Sequence, residues 1–214
     1  MDSRFLAFDI FLEPLKIKKE RKPVTKQIVT KEDIENVLAV FRDAQSAGSL
    51  ENDRALQYST FILLRAYSGQ RPKSTLARIT VSQVRDALST NKASLHILPN
   101  QDKIRMEHWV PIRPRLISSL YELCANKTED EPVFNFNSIQ LWLKRYPVSL
   151  PRCTGRFIPS DLRKFTEQYG DIIQWDHSNR SYILTHDVPG VDWTHYKHPF
   201  PEYVYEIYMK EILE

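Results

Sequence analysis

From Thr30 onward the apolar residues recur at three- and four-residue intervals in one segment after another, and a single pair of strand-like segments interrupts this helical period. A chain patterned in this way is confined to a mainly helical α+β architecture with one small antiparallel β-hairpin. Thr30-Lys-Glu-Asp33 supplies a capping hydroxyl and first-turn acids, and Ile34, Val37, Leu38 and Phe41 continue along one helix face. Leu56 to Tyr67 reads as a second, more buried helix that Gly69 terminates. A polar turn, Gln70 to Thr75, leads to a short helix around Leu76, and Ile79 to Val84 opens a further short element. Residues 93–98 and 106–112 predict the two strands, joined by the turn residues of Pro99-Asn-Gln-Asp-Lys-Ile-Arg. Helices are also expected from Pro114 to about Asn126, from Ser138 to Arg145, from Pro159 to about Tyr169, and from Glu202 to Leu213.

The basic run Lys16-Ile-Lys-Lys-Glu-Arg-Lys-Pro-Val-Thr-Lys26 makes residues 1–27 an arm or linker rather than a domain. Residues 28–214 then form one domain, large enough at 42% apolar composition to bury an ordinary core. Glycine is scarce, with five residues, and neither GxxxxGK nor GxGxxG occurs, which points away from nucleotide-driven chemistry. The two cysteines, Cys124 and Cys153, form no CxxC and no zinc-type Cys/His cluster, so no metal centre is expected and both thiols read as reduced. No secretory signal opens the chain, and no stretch approaches the ~20 apolar residues of a membrane span. An intracellular protein with no membrane partner is the expectation. The net charge of +3 is mild, but the 16–26 run and a second group (Lys144, Arg145, Arg152, Arg156, Arg163, Lys164) are locally basic. Such regions either neutralise phosphates or form solvated faces.

Five places along the chain combine residue types suited to phosphate chemistry. Arg71 follows the buried helix in Gly69-Gln-Arg-Pro72. Lys103 stands in the hairpin turn, eight residues before Pro111. Arg163 closes Ser160-Asp-Leu-Arg. His186 ends Ile183-Leu-Thr-His, 23 residues beyond Arg163, and Tyr196 follows in Trp193-Thr-His-Tyr, 33 residues beyond Arg163. Taken singly, each fits a surface residue or an ion pair. Their order and spacing resemble the tyrosine recombinase (phage integrase) family, whose pattern is an arginine, a hairpin lysine, a His-x-x-Arg box, a His or Trp, and a nucleophilic tyrosine. The resemblance spans roughly residues 28–210, and the Trp-x-His-Tyr wording is nearest in style to integrases of archaeal viruses and plasmids.

That resemblance implies the family's catalytic-domain fold and a metal-free, ATP-free site on double-stranded DNA. It implies that Tyr196 attacks the scissile phosphate to form a 3′-phosphotyrosine, which retains the bond energy needed for rejoining. Arg71 and Arg163 would neutralise the non-bridging oxygens, Lys103 would protonate the departing 5′ oxygen, and His186 would hydrogen-bond the phosphate. Lys73, Arg105 and Lys164 are expected to contact the DNA backbone, and Arg105 is also the nearest rival to Lys103. The family further implies a homotetramer on DNA, with the C-terminal segment reaching a neighbouring subunit, and a virus- or plasmid-borne origin in a prokaryotic host. The apolar stripe Val204, Ile207, Tyr208 and Ile212 on the last helix can equally fold back on its own core.

One position departs from the pattern, because Ser160 stands where the family has the histidine of His-x-x-Arg. A serine donates a hydrogen bond but does not hold a proton near neutral pH. His195 and His177 are the candidates to replace it in space. Ser160 is also what favours a rival reading, a catalytically weakened remnant that only binds DNA. A type IB topoisomerase shares the chemistry, and an unrelated helical interaction module would match the pattern by chance.

Overall fold

The protein is described from a computed structural model over residues 29–150, 155–186 and 200–212. The basic segment 1–27, Cys153, and Tyr196 with its neighbours His195 and Trp193 lie outside the described residues.

Helix α1 (Lys31–Ser46) starts on a complete capping box: Asp33 N donates to Thr30 Oγ1 at 3.2 Å, and Thr30 N donates to Asp33 Oδ2 at 2.8 Å. Its buried face (Ile34, Val37, Leu38, Phe41) packs on α2 (Asn52–Ser68). Phe41 meets Tyr58 edge-on at 5.7 Å, and the Tyr58 hydroxyl lies 2.6 Å from Ser138 Oγ on α5 (Phe136–Arg145). A 3-10 turn (Leu76–Arg78) leads into α3 (Val81–Leu88), which Thr80 caps with a second complete capping box. Strands β1 (Ser94–Ile97) and β2 (His108–Pro111) pair antiparallel with Leu95 opposite Val110 and His96 opposite Trp109. Leu95, Ile97 and Val110 face the core, whereas His96 and Trp109 stack on the outer face at 4.3 Å. The segment from Pro114 begins as a 3-10 turn (Pro114–Leu116) and continues as α4 (Ile117–Cys124), where Cys124 is buried and free.

Helix α6 (Asp161–Ile172) packs on α2 at a close crossing. Thr166 Oγ1 lies 2.8 Å from Ala66 O, and a Cβ on Gly69 would come within 2.2 Å of Leu184 Cδ2. Gly69 also ends α2 at φ +63°, a left-handed conformation that favours glycine, and an added Cβ would have to displace the Leu184 side chain.

Helix α7 (His177–Leu184) has no counterpart among the expected elements. Its first turn is polar and its apolar residues, Tyr182, Ile183 and Leu184, fall in one block at the end, so no helical period marks it. It forms because Asp176 accepts from Asn179 N at 2.9 Å and because the terminal block is buried. The last helix, α8 (Pro201–Ile212), folds back within the chain: Val204 and Tyr208 are buried, Ile207 is half-buried, and the Tyr208 hydroxyl donates to Tyr67 O at 2.8 Å. It rests on both strands and on α7.

Candidate active site

Four pieces of chain meet where α2 ends: the Gly69–Arg71 turn, the first two turns of α6, the end of α7, and the hairpin turn after β1. Hydrogen bonds from long side chains to backbone carbonyls hold them together.

Arg65, on the last turn of α2, is 2% exposed and is the largest fully buried side chain among the described residues. It donates to Pro159 O at 2.5 Å, to Ser160 O at 3.4 Å, and to Gln70 O. Burial first, and then the charge of Arg163, draw its pKa down to about 9. A guanidinium committed to three carbonyls fixes the Gln70–Arg71 turn against the segment leading into α6. Gln70 extends the same scaffold, donating to Ile183 O at 2.6 Å, with its Oε1 3.3 Å from His108 Nε2.

Arg163 reaches back across the gap, donating to Gly69 O at 3.1 Å and to Leu184 O, with Glu167 Oε1 3.9 Å from its Nε. Burial, and then the like charge of Arg71, draw its pKa down to about 10. Arg71 is placed differently. Both of its hydrogen bonds use Nη1, to Asp102 Oδ1 at 3.0 Å and Thr185 Oγ1 at 2.8 Å, so among the described residues the rest of its guanidinium edge has no protein partner. Arg71 and Arg163 are close enough for their like charges to interact, and the open edge of Arg71 is suited to a further anion, for which phosphate matches a forked donor.

His186 follows α7 directly, and its Nε2 lies 3.2 Å from Glu167 Oε1. Burial and the cations Arg163, Arg71 and Arg180 push its pKa below the ordinary histidine value, against the pull of Glu167. Burial and the surrounding arginines thus favour the neutral ring, with the Glu167 carboxylate beside its Nε2.

Lys103 and Arg105 are both exposed in the hairpin turn, where Arg105 has φ +58°. Lys73 is exposed in the turn after Arg71, and Lys164 is on the outer face of α6 with its amine 3.6 Å from Asp161. Ser160 immediately precedes α6 and is exposed, its hydroxyl making no capping bond. It borders a surface depression shared with Pro72, Lys144, Arg156 and Pro159. His177 sits at the far end of α7, about 10 Å of helix from its C-terminus, and is not part of the cluster.

The structure thus brings Arg71, Arg163 and His186 into one network and places Lys103 in the adjoining turn. Sequence reasoning did not single out Arg65, Gln70, Asp102, Glu167 or Thr185, which hold them. Asp102 had the one readable signal, a carboxylate directly before Lys103.

No family model matches the chain, and no curated protein matches it. Its fold is that of an integrase catalytic region, mainly helical with one two-stranded antiparallel sheet. A similar solved structure is the integrase of the Tn1549 transposon (its residues 82–397), in complex with circular-intermediate DNA. The TM-score is 0.53 at 13% sequence identity, over 86% of this chain and 64% of that one. The likeness is one of fold, and this chain spans less than two thirds of the integrase it resembles.

Proposed function

We propose that residues 28–214 form the catalytic domain of a DNA-integrating tyrosine recombinase, which cuts and rejoins duplex DNA through a 3′-phosphotyrosine. The observation that carries this reading is the convergence of Arg71 and Arg163, with His186 beside them, in a fold shared with a transposon integrase.

The roles are those the family resemblance implies, and the chemistry of each residue suits them. The Tyr196 oxygen attacks phosphorus and the bond to the 5′ oxygen breaks. Arg71 offers its unpartnered edge to the non-bridging oxygens, and Arg163 exchanges a carbonyl for phosphate as charge builds. Lys103 on its exposed turn gives a proton to the departing 5′ oxygen. The phenolic proton of Tyr196 has to go elsewhere, and Ser160 does not hold it. His186, neutral and backed by Glu167, is the described group able to accept it. Lys73, Arg105 and Lys164 take backbone phosphates, as does the basic run at 16–26. Rejoining reverses these steps and consumes neither ATP nor metal.

A tetramer on DNA follows from the family resemblance, and the folded-back stripe of α8 leaves that helix's exposed face, with Tyr203, for any neighbour. Kinship with integrases of archaeal viruses and plasmids rests on the wording around Tyr196, and an intracellular location on composition.

The test is a nicked suicide duplex carrying the flanks of the element that encodes the chain. A covalent protein–DNA adduct that vanishes in Tyr196→Phe is expected. Tight binding with no adduct on any flank would replace this reading with that of a DNA-binding remnant, the alternative that Ser160 favours.

A further inference from the structure

We propose that Asp102 is the positioning residue of this site: one shielded carboxylate that fixes Arg71, the turn carrying Lys103, and the Thr185 corner before His186 in a single arrangement. The inference rests on the strand-cutting reading above. The Asp102 side chain has no solvent exposure. Its two oxygens divide the work. Oδ1 accepts from Arg71 Nη1 at 3.0 Å and from Thr185 Oγ1 at 3.2 Å. Oδ2 accepts from the backbone amides of Ile104 at 3.2 Å and Met106 at 3.3 Å. An ionised carboxylate has about four acceptor positions, and all four are used.

Thr185 closes the ring by accepting from Arg71 Nη1 at 2.8 Å. It does so at φ +49° and ψ +49°, a left-handed conformation that β-branched residues avoid unless their surroundings impose it. The partners of its hydroxyl are Asp102 and Arg71, so the corner that aims His186 is held by the carboxylate that orients Arg71. An ion pair serving stability alone would need only the Arg71 contact. Here the same group also receives two amides from the turn that presents Lys103, whose own side chain stays exposed.

Asparagine has the same shape but a single acceptor oxygen, so in Asp102→Asn it serves one pair of donors and turns an NH2 toward the other. In the full chain, the adduct-forming rate under single turnover should fall about 100-fold, with DNA affinity changed by no more than about threefold. Thr185→Val, which removes the hydroxyl and keeps the branched shape, should cost about tenfold in the same rate. In Asp102→Asn, amide exchange should accelerate at Ile104 and Met106 while core amides such as Leu64 and Leu120 stay protected. Adduct rates within about threefold of the parent in both variants would overturn the proposal. So would a parallel loss of rate, affinity and core protection, which marks a purely structural residue. If the parent forms no adduct, the strand-cutting reading fails and amide exchange alone decides the positioning claim. Loss confined to Ile104 and Met106 upholds it, and unchanged exchange there overturns it.

Discussion

The helical flank of the site and its hairpin flank hold their cations in opposite ways. On the helical flank Arg65 and Arg163 are committed to backbone carbonyls of Gln70, Pro159, Ser160, Gly69 and Leu184, and burial lowers the pKa of both. On the hairpin flank Lys103 and Arg105 are exposed, and their turn is tied to the body through the Asp102 carboxylate. The first arrangement makes a fixed floor, because moving either arginine strands several buried acceptors. The second leaves two exposed cations on a short tether, which suits the proton transfer to a leaving oxygen proposed for Lys103. Arg71 stands between them, anchored by one nitrogen and open along its other edge.

If that contrast is right, substitutions on the two flanks should separate stability from cleavage. The largest loss of stability is expected for Arg65→Met, which leaves buried Gln70 O without its donor and takes one donor each from Ser160 O and from Pro159 O, which keeps Leu162 N. Urea unfolding should show about 3–5 kcal/mol less stability, and a loss below about 1 kcal/mol would erase the distinction between the flanks. Gly69→Ala is next, at about 2–3 kcal/mol, because the added Cβ meets Leu184 and the left-handed backbone penalises any side chain.

A smaller effect is expected from pH. Burial holds His108 and His186 below the ordinary histidine pKa in the folded chain, so the unfolded state takes up protons first. Their contribution is complete above about pH 6.5 and is lost as pH falls through the depressed folded values. The urea midpoint should decline from about pH 7.5 to about pH 5.5, and a midpoint that rises over that range contradicts the assignment. Asp161 and Glu211, whose carboxyls burial pushes up, act in the opposite sense at lower pH. The smallest stability change belongs to Lys103→Ala, within about 0.5 kcal/mol, although strand cleavage should drop by about 10²–10⁴-fold. A sulfur leaving group in place of the 5′ oxygen, needing no proton, should restore most of that rate.

Much of this arrangement is legible in the amino-acid sequence. Thr30 with Asp33, Gly69 after an apolar helix, and the two strand-like runs each carry a local signal, since caps, stops and pleats depend on neighbours in sequence. Arg71 and Arg163 were legible only through their order along the chain. Helix α7 was not, because a polar first turn and a terminal apolar block have no period to read. Arg65 was invisible for a different reason: its partners are carbonyls 5, 94 and 95 residues away, and a carbonyl has no sequence identity. Asp102 looked like a turn residue, which it is. Its hold on Arg71 and Thr185 spans 31 and 83 residues and exists only in the folded chain.

The central claim is that this scaffold delivers one tyrosine to one phosphate, and mapping the covalent adduct tests it most directly. After reaction with the nicked duplex, nuclease and protease digestion should leave a nucleotide remnant on the peptide containing Tyr196, seen by mass spectrometry. The same remnant should be absent from Arg71→Ala protein that still binds DNA. A remnant on Tyr182, Tyr203 or Tyr205, or an adduct formed at the parent rate without Arg71, would contradict the account.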